Sequence, residues 1–159
     1  MATFRHFADI EKYTKEQAHK ALEEVAQQVF IEWKGLVKKR VYDEGRLKAD
    51  PSNNYYKRTN QFLECLELKW LDPLKVVIGY NVEKILPSMM IDRYSFNRHT
   101  SFSGEDVSHL IPTFIEEGNG DSKIYAYEGL HIYDEICDNL NVEFHMMMEE
   151  ALLKRGLPL

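Results

Sequence analysis

The sequence predicts an α+β fold in which a long N-terminal helix and a long C-terminal helix pack on a small antiparallel sheet. Three observations predict it. Apolar residues recur at helical spacing over residues 14–41 and again over 133–152, and between them lie two short runs rich in β-branched and aromatic residues around an Asp-Pro pair. The order helix, strands, loop, short helix, long helix contains no alternating βαβ unit. A chain of 159 residues fits one domain, 1–159, large enough to bury most of its apolar surface without staples.

The first helix is expected to start at Thr14, because Gln17 follows three residues later at capping-box spacing. Ala18, Leu22, Val25, Val29, Trp33, Leu36 or Val37, and Val41 then mark one apolar face, and Gly45 is a natural terminator. The stretch "RLKADPSNN" from Arg46 to Asn54 reads as a loop. "FLECLELKW" and "LKVVIGY" read as paired strands joined by a tight turn at Asp72–Pro73. "MMIDRYSFNRHTSFSG", Met89 to Gly104, has no period and reads as an ordered loop. Ser103 and Asp106 can cap a short helix through Leu110, beyond which Pro112 should bend or restart any continuation, and "GNGDSK" marks an exposed turn.

The last helix places Tyr133, Ile136, Cys137, Leu140, Phe144, Met147, Met148, Ala151 and Leu152 on one face. Lys154 and Arg155 suit its C-terminal dipole, and Gly156 and Pro158 end it.

Composition narrows the function. With 44% hydrophobic and 29% charged residues the chain should fold as a globular protein. Arg5, His6, Asp9 and Glu11 interrupt the opening segment, so no signal peptide is expected, and no stretch approaches the length of a membrane span. Cys65 and Cys137 fit two buried, reduced thiols. Residues 1–80 hold 14 Lys and Arg against 12 Asp and Glu, while residues 81–159 hold 6 against 14. That acidic second half argues against a general nucleic-acid binder, and the one basic cluster, Lys38 to Arg40, reads as a solvated helix face.

Candidate chemistry is sparse. His131 with Glu135, and Asp134 with Asp138, stand four apart and could share a metal, although acidic residues on an exposed helix face are the commoner case. His99 and His109 flank Ser101, Ser103, Glu105 and Asp106, which could supply a serine nucleophile and a histidine base. There is no strained GxSxG elbow, and helix capping explains the same residues. No phosphate loop, paired CxxC or HExxH motif occurs. We therefore expect no catalytic, cofactor-binding or metal-binding residues and no cofactor. "HMMM", His145 to Met148, could form an adaptable contact surface, but two of its methionines fall on the expected core face.

"YYKRTNQFLECLEL", Tyr55 to Leu68, places two aromatics, two cations and a hydroxyl ahead of an apolar run. In isolation, Thr59 caps a turn or short helix, Arg58 faces solvent or a carboxylate, and Phe62, Leu63 and Leu66 pack inward. An amphipathic N-terminal helix followed by Y-x-R-T and a hydrophobic run resembles the head–tail connector and tail-completion proteins of tailed bacteriophages, also described as minor capsid or minor tail proteins. The match is Tyr56, Arg58, Thr59, Leu63 and Cys65, the last where serine is more usual. It continues through "FNRHTSF" at Phe96 to Phe102, "LIPTFIEEG" at Leu110 to Gly118, and the closing "LLKRGLPL".

The resemblance implies a structural subunit of the virion neck, assembled in the host cytoplasm, that forms a ring of its own copies around the DNA channel. Its partners would be the portal or adaptor and the tail proteins, with genomic DNA passing through unread and no membrane involved. Tyr56, Arg58 and Thr59 become the candidate structural motif, and Arg93, Tyr94, Phe96, Arg98 and His99 the candidate subunit-contact loop. Two alternatives stay open: a small intracellular hydrolase using the His99–His109 region, and a module that binds a host protein.

Overall fold

The computed structural model describes residues 6–43, 60–85, 108–118 and 129–157. Helix α1 spans Phe7–Val37 and continues into a π-helical turn at Lys38–Asp43. After it come the short helix α2 (Gln61–Cys65), the strands β1 (Leu66–Asp72) and β2 (Lys75–Tyr80), and a 3₁₀ turn at Val82–Lys84. A second 3₁₀ turn at Ser108–Leu110 leads into α3 (Ile111–Glu117), and α4 covers Ile132–Leu153. The fold is α+β, with long helices at both ends of the chain and a two-stranded antiparallel sheet.

The stripe expected on α1 is buried from Val25 onward, while Ala18 and Leu22 are half-buried and Ala21 and Ala26, outside the expected stripe, are buried. Val25, Val29, Trp33, Val37 and Val41 are buried, and of the pair Leu36 and Val37 it is Val37 that goes fully inside. The helix starts earlier than expected, at Phe7 rather than Thr14. The Asp9 carboxylate accepts a hydrogen bond from the His6 backbone N–H at 3.1 Å, and Glu11 bridges to Lys15 at 2.7 Å. Such local pairs support helical turns without core contacts, and Phe7 and Ile10 stay exposed. Gly45 and the Arg46–Asn54 loop lie outside the described residues.

The hairpin has the expected turn but a shorter first strand. The "FLEC" stretch, with Gln61 before it, forms α2 (residues 61–65) instead, a single turn in which the Cys65 thiol donates to the Phe62 carbonyl at 3.1 Å. Its N-cap falls on Asn60, in the left-handed region at φ 58°, with no side-chain cap bond, and Thr59, the expected cap, lies outside the described residues. Phe62 and Leu66 are buried, as expected, and Leu63 is partly so. Leu66 pairs with Tyr80, Leu68 with Ile78 and Trp70 with Val76, which puts these side chains on one face of the ribbon. At the turn, Asp72 Oδ1 accepts from the Leu74 N–H at 2.8 Å. His19 of α1 meets the Trp70 ring edge-on and donates from Nδ1 to the Pro73 carbonyl at 2.5 Å, which seats the hairpin on the helix.

Helix α4 runs antiparallel to α1. At one end Arg155 pairs with Glu24 at 2.7 Å, and at the other Arg40 pairs with Glu135. Arg155, followed by Lys154, holds the Glu24 carboxyl below its usual range. The helix ends on Gly156 at φ 73°, where the Leu157 N–H returns to the Leu152 carbonyl, as the Lys-Arg-Gly ending anticipates. Ile136 and Ala151 are buried, and Ile132 joins them although the expected face omitted it. Tyr133 and Phe144, placed inward by periodicity, are about half exposed; Phe144 belongs to the turns over residues 141–146, which are exposed on every side.

Pro112 sits in the first turn of α3, where its missing N–H costs no helical bond, and the chain changes there from a 3₁₀ turn to an α-helix. At the other end, Leu130 and His131 donate their N–H groups to the Ile115 and Glu116 carbonyls at 2.9 and 3.0 Å. The last orphan carbonyls of α3 are satisfied this way. The approach is so close that a Cβ on Gly129 would lie 2.1 Å from the Glu116 carbonyl oxygen. The Ser103 and Asp106 caps and the "GNGDSK" turn lie outside the described residues.

Candidate functional site

Where α1, β2, α3 and α4 meet, three side chains and one backbone N–H from distant parts of the chain share one polar cluster. Trp33 Nε1 donates to the Tyr80 hydroxyl at 3.1 Å. That hydroxyl donates to Glu116 Oε1 at 2.6 Å, and Glu116 Oε2 accepts the backbone N–H of Tyr133 at 3.0 Å. Around this relay, Tyr80 stacks on Phe62 with ring centroids 4.7 Å apart, and Trp33 lies edge-on to Tyr80 at 5.5 Å. Tyr133 approaches Trp33 from the other side at 5.7 Å.

Each polar atom of the relay has its partner, which is what a carboxylate needs to stay charged while buried. Burial, followed by the negative charge of Glu116, pushes the Tyr80 phenol well above its ordinary value. The arrangement therefore holds a neutral phenol as a donor and ties three elements to the N-terminus of α4, whose backbone dipole favours the Glu116 charge. Tyr80→Phe is expected to lower stability by about 2–3 kcal/mol, because it leaves both Glu116 Oε1 and Trp33 Nε1 short of a bond. Urea denaturation of the two proteins measures it, and a loss below about 0.5 kcal/mol would show the relay to be incidental.

Tyr56, Arg58 and Thr59, and likewise Arg93, Tyr94, Phe96, Arg98 and His99, lie outside the described residues. So do Ser101, Ser103, Glu105 and Asp106, whereas His109 is described and exposed. His131 Nδ1 and Asp134 Oδ2 come to 3.3 Å at the start of α4, while Glu135 turns away to Arg40. Among the described residues no three His, Cys, Asp or Glu side chains gather so as to hold a metal, and no helix is long and apolar enough to cross a membrane. Both thiols are free. Cys65 is fully buried and Cys137 partly so.

The "HMMM" run divides: Met147 and Met148 pack against the core, and Met146 faces out. With Val142 and Leu153 it forms a second apolar stripe on the solvent side of α4, which sequence reasoning missed. Its signal was the recurrence of apolar residues four and then seven positions apart, out of phase with Ile136 and Leu140.

Compared with protein families, with curated proteins and with solved structures, the chain finds no match in any of the three.

Proposed function

We propose that this chain is a structural subunit of a tailed-phage neck, a head–tail connector or tail-completion protein that assembles as a ring around the DNA channel. The series of motifs from Tyr56-Lys57-Arg58-Thr59 to Lys154-Arg155-Gly156 carries this reading. A long helix at each end of a small hairpin is compatible with it, and the exposed apolar side of α4 supports it, since a ring subunit must offer surface to its neighbours. The acidic second half suits a channel that DNA must slide through, because carboxylates repel phosphates that a basic wall would hold.

Phage particles assembled without the subunit test the reading. The expected result is filled or leaking heads separated from their tails. Intact, infectious, fully joined particles would rule it out.

A further inference from the structure

We infer that the outward face of α4 docks on the outward face of α1 in a second copy of this chain, a head-to-tail contact in which the two copies use different surfaces. This rests on the neck-ring proposal and names the contact through which such a ring would close.

Two faces carry it. On α4, Val142, Met146 and Leu153 are 73%, 58% and 54% exposed. Their spacing places them on one side, opposite the buried Ile136 and Ala151, with Asp138 and Glu149 beside them. On α1 and the π-helical turn that continues it, Gln27, Ile31, Gly35 and Lys38 line the side opposite Val29 and Trp33, and Ile31 is 61% exposed. Gly35 is in the interior of a helix, where glycine is a poor residue, and among the described residues a Cβ there would meet nothing within 4 Å. Its missing side chain leaves room for another backbone to come close.

Charge selects the occupant. The segment Ile132–Leu153 carries Asp134, Glu135, Asp138, Glu143, Glu149 and Glu150 and no Lys or Arg, while residues 34–40 carry Lys34, Lys38, Lys39 and Arg40 and no carboxylate. Arg40 is engaged by Glu135 of its own chain, and Lys34 lies over the Phe30 ring. Pairing α4 with α4 would set carboxylates against carboxylates. Pairing α4 with α1 sets them against Lys34 and Lys38, and a contact between unlike faces is the kind that closes a ring by rotation.

Sedimentation equilibrium of the full chain up to roughly 1 mM, a concentration at which weak pairs form, tests the contact. Association is expected, and Met146→Ser should weaken it about tenfold. Gly35→Gln should weaken it similarly while raising the melting temperature, an opposition of sign that a purely structural glycine would not give. Lys38→Glu should weaken it and Glu149→Lys in the same chain should restore it. A chain monomeric at that concentration, or an association indifferent to these variants, overturns the inference. The two proposals fail separately. Particles that join without the subunit sink the neck reading and leave the measured contact standing, whereas neck rings that form normally with Met146→Ser and Gly35→Gln sink the contact alone.

Discussion

Trp33→Ala is expected to cost about 3–5 kcal/mol, the largest loss from a single core truncation that this fold should show. Trp33 is 3% exposed, at the middle of the buried stripe of α1, and its ring edge contacts Tyr80 while Tyr133 closes it from the α4 side. Removing it opens a cavity at the point where both long helices and the hairpin meet, and such a site cannot collapse without moving all three. The substitution also deprives the Tyr80 hydroxyl of the Nε1 donor. Trp33→Phe keeps most of the volume and loses the donor, so it should fall between the two. Urea denaturation of the three proteins decides the matter. A loss under about 1 kcal/mol for the alanine variant would mean that this junction is not where the fold is held.

What was legible in the sequence follows from what has a period. Val25, Val29, Trp33, Val37 and Val41 recur at three- and four-residue steps because one face of α1 is buried along its length, and the same logic found Ile136, Leu140 and Ala151. The two turns of α1 before Thr14 have no such stripe; pairs such as Glu11 with Lys15 support them from the surface, and a search for apolar spacing passes over them. The residues of helix α2 fitted two readings, the start of a strand and a short helix ahead of it, because five residues are too few to show a period, and Phe62 and Cys65 are equally at home in a sheet.

The polar relay lay beyond any pattern search. Tyr80 and Glu116 stand 36 residues apart, and nothing short of the tertiary fold sets a phenol beside that carboxylate. The outer stripe of α4 was readable but masked, since three successive methionines fit inward and outward faces alike. A helix with apolar residues on two opposite sides has two faces to cover, and the described residues bury only the one that carries Ile136 and Ala151.

Raising the pH should unfold the protein through Cys65 before other buried groups respond. Burial pushes this thiol up to about 12 from an ordinary 9.0, because its thiolate would lose water and gain little in return. The sign follows from proton binding. Below pH 9 the thiol is protonated in folded and unfolded chains alike, and the stability is fully present. Between about pH 9 and 12 the unfolded chain releases its proton while the folded one keeps it, so stability falls by about 1.4 kcal/mol per pH unit, a total on the order of 4 kcal/mol. Tyr80, whose phenol is raised in the same direction, adds to the loss once the pH passes the ordinary phenol range near 10. Cys65→Ser isolates the thiol: serine does not ionise in this window, and its hydroxyl can donate to the Phe62 carbonyl as the thiol does. Chemical denaturation at intervals from pH 7 to 12 should give a shallower decline for Cys65→Ser than for the unaltered chain, with the two curves parallel below pH 9. Equal slopes throughout would mean that the thiol is solvated in the folded state, and the packing of α2 against the hairpin would then be looser than its buried Phe62, Cys65 and Leu66 imply.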